Sequence, residues 1–318
     1  MYNMANSVEG QKAMSTTDNV AVILCTYNGA KYIDEQINSI LNQTYSNVHL
    51  YIQDDRSTDD TWEVLQKYAD NDRVTLYQSE KNLGYPFAFY DLLSKVNDAE
   101  YYSFSDQDDV WQKDKIERAM DLLSGSDKSK PAIAFANYDV CDENLNKIRT
   151  STGPNRKPDF LYSLYACLGL GFTCVLNHKA KDLIQNRRSK RNITKDVWMG
   201  MCCTAFGEAF FDPKPCALHR RNPGAFSSQD KNFFQIQKDR IRKFVKNDGL
   251  KTVYDVMKEF YEIFGPELPE ERKKELEFFL YRGWNPIRRL KKVFFGKRLR
   301  YDRKDEWMLR MIFLIGKL

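Results

Sequence analysis

The sequence predicts an α/β protein, with a mostly parallel sheet flanked by helices and a helical region appended at the C-terminus. Three observations predict it. Short apolar runs alternate with amphipathic helical stretches from Val20 onward. Each run that matters ends in small or acidic polar residues. From Asp230 onward the texture turns helical, aromatic and charged. Strand, loop and helix repeated three times imply parallel strands joined by right-handed crossovers.

The first strand is Val20-Ala21-Val22-Ile23-Leu24-Cys25, an unbroken apolar run of the kind that is covered on both faces. It ends in Thr26-Tyr27-Asn28-Gly29. Ile33, Ile37, Ile40 and Leu41 then give a helical stripe, with Asp34 and Glu35 suited to the positive N-terminus. A second strand, Val48 to Gln53, runs into Asp54-Asp55-Arg56-Ser57-Thr58-Asp59. Ser57 or Thr58 is expected to cap a helix from Asp60 to Tyr68. A third strand spans Val74 to Tyr77, and Pro86 opens a helix carrying Phe87, Tyr90, Leu93 and Val96.

The strand at Tyr101 to Phe104 leads into Ser105-Asp106-Gln107-Asp108-Asp109-Val110-Trp111. Three carboxylates within four residues repel one another unless a cation sits among them. Mg²⁺ and Mn²⁺ take such oxygen ligands together with substrate phosphates. The other reading is a solvated acidic turn, with Asp109 capping a helix near Lys113. The loops after Leu24, Ile52 and Phe104 all lie at strand C-terminal ends and converge on one crevice, where open α/β sheets bind ligands. No Gly-x-Gly-x-x-Gly and no Gly-x-x-x-x-Gly-Lys-Ser/Thr is present, which argues against a dinucleotide dehydrogenase and a P-loop enzyme.

VAVILCTYNGAKYIDEQINSILNQTY, QDDRSTDDTW, NLG and YYSFSDQDDVW, in this order, resemble the N-terminal half of family 2 glycosyltransferases, and SDQDDVW resembles their bacterial rhamnosyltransferase-like branch. The resemblance implies a GT-A fold, a nucleotide-sugar donor and a divalent metal, Mn²⁺ or Mg²⁺. It assigns nucleotide contacts to Thr26, Tyr27 and Asn28, base reading to Asp54 and Asp55 (Asp55 foremost), ribose and metal to Asp106, and metal to Asp108. It also implies an inverting transfer. The donor would be a deoxysugar such as dTDP-rhamnose, with UDP-glucose or UDP-galactose as the alternative. The acceptor would be lipid-linked or a cell-surface polysaccharide.

Further along, Lys113 to Leu123 reads as a helix and Ile133 to Asn137 as a strand, whereas Asp139 to Pro158 reads as a long surface connection. Gly169 to Asn177 resembles the family's Gly-x-Thr segment beside the acceptor, where glycines let backbone approach a sugar, or is simply a strand with a tight entry. Lys195-Asp196-Val197-Trp198 stands where related sequences read His-Asp-Trp-Trp. The resemblance makes Asp196 the general base, while the residue pattern alone also allows a helix N-cap. Leu218-His219-Arg220-Arg221-Asn222 lines up with Leu-Tyr-Arg-Gln-His. Asn222 replaces the histidine near the metal, which leaves a metal role for His219 doubtful. Arg220 and Arg221 become candidates for the diphosphate, since guanidinium forks match phosphate oxygens. His49 and His178 suggest surface or packing roles.

Residues 1–19 are polar, lack the apolar centre of a signal peptide, and read as a disordered lead or an expression remnant. Residues 20–229 form the expected catalytic domain and 230–318 the helical region. Between 284 and 318, eleven Lys/Arg face three acids, with aromatic residues interleaved. That composition suits a helix lying on an anionic membrane surface, or else a packed appendage or dimer contact. No nucleic-acid-binding module is recognisable despite the net charge of +5. The chain has 318 residues, 42% hydrophobic and 14% aromatic, enough for a substantial core. No apolar run approaches the ~20 residues needed to cross a bilayer. The seven cysteines form no C-x-x-C pair, so reduced, structural thiols and a cytoplasmic setting are expected. A non-catalytic nucleotide- or carbohydrate-binding membrane tether stands as the rival to an enzyme.

Overall fold

A computed structural model describes residues 18–154, 156–189, 195–221, 248–283 and 285–316. Residues 1–17 of the expected 1–19 lead, Asn222 and the stripe residues Phe233, Ile236, Ile241 and Phe244 lie outside the described residues, whereas Asn19 is held by Glu100 and Asp98.

The strands β1 (Val20–Thr26), β2 (Val48–Asp54), β3 (Val74–Gln78) and β4 (Tyr101–Ser105) alternate with α1 (Ile33–Leu41), α2 (Thr61–Gln66) and α3 (Phe87–Lys95). β5 (Val110–Trp111) and α4 (Lys115–Ser124) follow, then β6 (Ala132–Ala136), β7 (Asp139–Cys141), β8 (Lys147–Thr150) and α5 (Phe160–Ser163). A 3₁₀ turn at Gly171–Thr173 leads into β9 (Cys174–Asn177), α6 (His178–Asn186), α7 (Lys195–Phe206), β10 (Glu208–Asp212) and β11 (Ala217–Arg220). The helices α8 (Asp248–Phe264), α9 (Glu270–Leu280), α10 (Pro286–Val293) and α11 (Arg303–Leu314) complete the described chain.

The main sheet runs β10-β6-β9-β4-β1-β2-β3. It is parallel except at β9, which pairs antiparallel with β4 and β6. β1 shows why its sequence is continuously apolar. Val20, Val22 and Leu24 join Ile33, Ile37 and Ile40 of α1 in one core layer, while Ala21 and Ile23 join Phe89, Leu92 and Leu93 of α3 in the other. Each such Val, Ile or Leu withdrawn from water contributes roughly 1.5–3 kcal/mol. The register sets Thr26 opposite Asp54 and Leu24 opposite Ser105, so the loops after β1, β2 and β4 open on the same side.

Two local expectations are corrected. Asp139 to Pro158 is not a plain connection: it contributes β7 and β8 to a second, four-stranded sheet, β5-β11-β7-β8. Its polar, glycine-containing sequence hid two short strands, β7 buried and β8 largely exposed. Ser57 and Thr58 do not cap α2. Asp60 precedes that helix without a side-chain cap, and both hydroxyl residues instead tie two loops together, as described below.

The C-terminal helices share the core of the layer that covers the main sheet. Phe260 of α8 packs on Phe160 at 5.8 Å and on Trp198 at 5.3 Å between ring centroids. Tyr165 meets Phe279 of α9 at 5.4 Å and Phe313 of α11 at 5.9 Å. Part of the basic charge between 284 and 318 is internal. The Lys292 ammonium is buried and donates to the carbonyls of Phe279 and Tyr281, both at 2.9 Å. Arg310 pairs with Glu306 and bonds the carbonyls of Lys292 and Lys297. The α10–α11 pair leaves large apolar side chains outside among exposed basic ones: Phe294 is 79% and Trp307 72% exposed, with Ile287, Leu290, Met311 and Leu314 also on the surface beside Arg288, Lys291, Arg303 and Lys304. Among the described residues no helix is long and apolar enough to cross a membrane.

Candidate active site

The three loops at the sheet's open edge are knitted together by side chains from one another. Gln107, the middle residue of the Asp-x-Asp stretch, accepts from Thr26 Oγ1 at 2.7 Å and from the Tyr27 amide at 2.8 Å. Asn28 adopts a φ of 51°, a left-handed conformation that asparagine tolerates. Its amide donates to Ser57 Oγ at 2.9 Å, and its side-chain oxygen accepts from the Thr58 amide at 2.8 Å. Tyr27 keeps its ring 44% exposed beside this joint.

The paired acids after β2 are both buried, and both hold loops. Asp54 accepts from the Ser57 amide and hydroxyl and from Gln78 Nε2 at 3.0 Å. Asp55 accepts from the amides of Leu83 at 2.8 Å and Gly84 at 2.7 Å. Gly84 has a φ of +70°, which explains the glycine in Asn82-Leu83-Gly84.

Asp106, Asp108 and Asp196 come together with Lys195 and His219, although 113 positions separate the first from the last. Lys195 Nζ lies 3.1 Å from Asp196 Oδ1 and 4.4 Å from the centre of the Phe89 ring. Burial works against this ammonium, but the carboxylates of Asp196 and Asp106 outweigh it and hold its pKa above the ordinary lysine value. Burial pushes the Asp106 carboxyl up, Asp196 and Asp108 push it further, and Lys195 and His219 oppose them. Gly171 abuts this pair, and any side chain there would collide with Lys195 Nζ and Asp196 Oδ1.

Asp109 is fully buried and does not cap α4, which Asp114 precedes. One oxygen lies 2.8 Å from His219 Nδ1, while Oδ2 has no hydrogen-bond partner among the described residues. His219 stacks on Phe172 with ring centroids 4.9 Å apart. Burial would lower the His219 pKa, but the bond to Asp109 and the charges of Asp109, Asp106 and Asp108 raise it. This pair, 110 residues apart, carries no local sequence signal.

Arg220, expected at a diphosphate, is turned inward. Its guanidinium bonds Glu35, the Asp108 carbonyl at 3.0 Å and the Glu143 carbonyl. It thereby holds the backbone of the acidic loop. Arg221 sits at the end of β11, with its amide on the Cys141 carbonyl at 2.9 Å. Of the remaining histidines, His49 bonds Thr75 and His178 bonds the Ala99 carbonyl, both structural contacts. All seven cysteines are free thiols.

Among the described residues no three His, Cys, Asp or Glu groups already gather as a metal site. The donor set nevertheless suits a hard divalent cation: adjacent carboxylates that repel, one of them buried, and an imidazole fixed by a buried acid.

Comparison with known proteins gives a consistent result. The model of Glycosyl transferase family 2 matches residues 21–188. The chain is 29% identical over 215 residues to the dTDP-rhamnosyl transferase RfbG of Shigella flexneri, covering 63% of this chain and 71% of that one. It is 33% identical over 122 residues to the putative teichuronic acid biosynthesis glycosyltransferase TuaG of Bacillus subtilis, covering 38% of this chain and 47% of that one. In fold it resembles S. aureus TarS 1-349 in complex with UDP-GlcNAc, with a TM-score of 0.60 at 18% identity, covering 94% of this chain and 81% of that one. It also resembles the mannosyltransferase PcManGT from Pyrobaculum calidifontis in complex with GDP-Man and Mn²⁺, with a TM-score of 0.53 at 16% identity, covering 98% and 89%.

Proposed function

From the premise that this chain belongs to glycosyl transferase family 2 and is a glycosyltransferase of GT-A fold, we propose that it transfers a sugar, rhamnose foremost, from a dTDP- or UDP-linked donor to a saccharide hydroxyl with inversion. The observation that carries this reading is the convergence of Asp106 and Asp196 on the buried Lys195, with Asp108 beside Asp106. The likeness to RfbG supports the rhamnosyl donor.

In this reading the nucleotide lies across the joined loops, with Tyr27 against the base and Thr26, Asn28, Asp54 and Asp55 framing it. Asp106 and Asp108 hold Mn²⁺ or Mg²⁺, with His219 as a candidate third donor because Asp109 fixes its ring. The cation, when bound, neutralises charge on the departing diphosphate. Asp196 takes the proton from the acceptor hydroxyl as that oxygen attacks from the face opposite the diphosphate. A base so placed typically contributes 10²–10⁴-fold. Lys195 holds Asp196 in place through their 3.1 Å contact. Arg220 serves the diphosphate indirectly, by fixing Asp108. Arg221 remains the candidate for direct contact.

The exposed apolar face of α10 and α11, flanked by Arg288, Lys291, Arg303 and Lys304, would rest on the anionic inner leaflet of the cell membrane. The enzyme would thus act from the cytoplasm on a lipid-linked or polysaccharide acceptor.

Donor binding measured with and without Mn²⁺ tests the site. Asp108→Asn should abolish the Mn²⁺-dependent part in a folded protein. Asp196→Asn should leave donor affinity nearly intact and cut turnover at least a hundredfold. Metal-dependent binding that survives Asp108→Asn refutes the metal assignment, and donor affinity that collapses with Asp196→Asn refutes the base.

A further inference from the structure

A cleft of about 1020 Å³ opens beside the carboxylates, bounded by β7–β8, the segment Cys167–Leu170 and the strap between α10 and α11. Its lining stops short of Asp106 and Asp196 but comes near them at two points. Tyr138 lines the cleft and lies edge-on to His219, 5.5 Å between centroids. Gly169 and Leu170 line it immediately before Gly171, the residue packed on Lys195 and Asp196. The Asp196 charge is also felt at the Cys167 thiol on the cleft wall.

The cleft is basic. Arg149, Arg298 and Arg300 line it, with Arg303 and Lys304 at its rim, against two acids, Asp302 and Asp305. Asp302 caps α11, accepting from the amides of Lys304 and Asp305. The strap is rigid, because Glu306 accepts from the amides of Leu299 and Arg300 at 2.8 and 2.7 Å, and Arg156 donates to the Arg298 carbonyl at 2.6 Å. Arg300 makes no ion pair with a carboxylate among the described residues, and burial pulls its pKa below the ordinary value. Tyr162 and Tyr301 stack at 3.8 Å between ring centroids in the same wall. Arg298 also donates to the Tyr301 carbonyl at 2.6 Å, and Asp305 and Glu306 offset part of the Arg300 charge, yet the lining keeps more guanidinium than carboxylate beside an aromatic surface, which describes a site for an anionic sugar. Three guanidiniums exceed what one carboxylate would balance, whereas a phosphate or diphosphate brings the charge and the oxygens to match.

We propose that this cleft is the acceptor site and that it recognises a phosphate-bearing saccharide through Arg149, Arg298 and Arg300. The inference rests on Asp196 as the base, since the cleft serves an acceptor only if transfer occurs beside that residue.

The test uses the full chain with its donor site saturated by UDP or dTDP and Mn²⁺, whose binding is measured separately. Glucose 1-phosphate is titrated calorimetrically against methyl glucoside, and a glucose diphosphate bearing an undecyl chain forms a third arm. We expect glucose 1-phosphate to bind at least tenfold more tightly than the neutral glycoside. Arg149→Gln and Arg300→Gln should each weaken it at least fivefold while leaving nucleotide affinity unchanged. Arg149 is exposed, so its variant folds even if the Arg300 variant does not. Tighter binding of the alkylated probe identifies a lipid-linked phosphate, and equal binding a phosphate on a soluble glycan; either upholds the site. Equal affinity for the neutral glycoside, or unchanged binding in Arg149→Gln, overturns it. Absence of nucleotide binding in the parent protein would instead sink the donor reading and leave the cleft result to stand by itself.

Discussion

Asp55→Ala isolates the clamp that sets the edge of the donor loops. The Asp55 carboxylate is 2% exposed, and its two oxygens accept from Leu83 and Gly84 at 2.8 and 2.7 Å. A hydrogen bond to a charged group contributes about 1.5–3 kcal/mol. Leu83 and Gly84 are only half-buried, so water reaches their amides once the carboxylate is gone. The lower end of the range therefore applies, about 3 kcal/mol for the pair. Asp55→Asn keeps one acceptor oxygen but aims an amide donor at the second N–H, so it should cost about 2 kcal/mol. Urea unfolding at pH 7 measures both, with nucleotide affinity recorded on the same preparations. The expected result is a graded loss of stability, parent above Asn above Ala, with affinity falling in the same order because the loop frames the nucleotide. If Asp55→Ala stays within 1 kcal/mol of the parent while affinity falls tenfold or more, the carboxylate faces the base and not the amides, and the clamp is wrong.

Two further predictions concern charge and surface. Lys115 is buried, with its ammonium 3.1 Å from Ser103 Oγ and over the Trp111 ring, and burial lowers its pKa to about 7. An unfolded lysine titrates near 10.4. As pH falls from about 10.5 to about 7, the unfolded chain therefore gains a proton that the folded one lacks, and stability declines; below about 7 the deficit is constant. Lys115→Met should accordingly be more stable than the parent at pH 7, by about 2 kcal/mol after the lost Ser103 bond, with the gap narrowing toward pH 10 in chemical denaturation. A destabilised variant, or a gap that ignores pH, refutes the assignment. On the surface, Phe294→Ser combined with Trp307→Ser removes two side chains that each contribute roughly 1.5–3 kcal/mol when buried, so co-sedimentation with anionic vesicles should weaken more than tenfold at unchanged thermal stability. Vesicle binding equal to that of the parent would show that this face does not meet lipid.

The parallel order of the strands was legible because β1 and β4 carry their burial in consecutive apolar residues and α1 carries its own in the 3.6 period. The acids at strand ends were legible because the connection rule sends those ends to one edge. The β7–β8 hairpin was not, since only Val140 and Cys141 of its residues are deeply buried hydrophobics, and two such residues show no period. The roles of Asp109, Lys195 and Arg220 were hidden for a different reason. Asp109 and Arg220 are decided by partners far away in sequence (His219 and Glu35), Lys195 by Asp106 as well as by its neighbour Asp196, and residue type names no partner. A buried arginine and a ligand-binding arginine look identical until the fold shows what faces them.

The mesh made by Gln107, Asn28, Ser57 and Thr58 bears on how fast a donor is captured. Each contact joins two loops, so none of the three can swing without breaking bonds in another. A cradle already set before a ligand arrives leaves little ordering entropy to be lost on docking. Association should then follow a single exponential whose rate rises linearly with donor concentration, with no saturating isomerisation step. Affinity differences among nucleotides would appear in how long each stays.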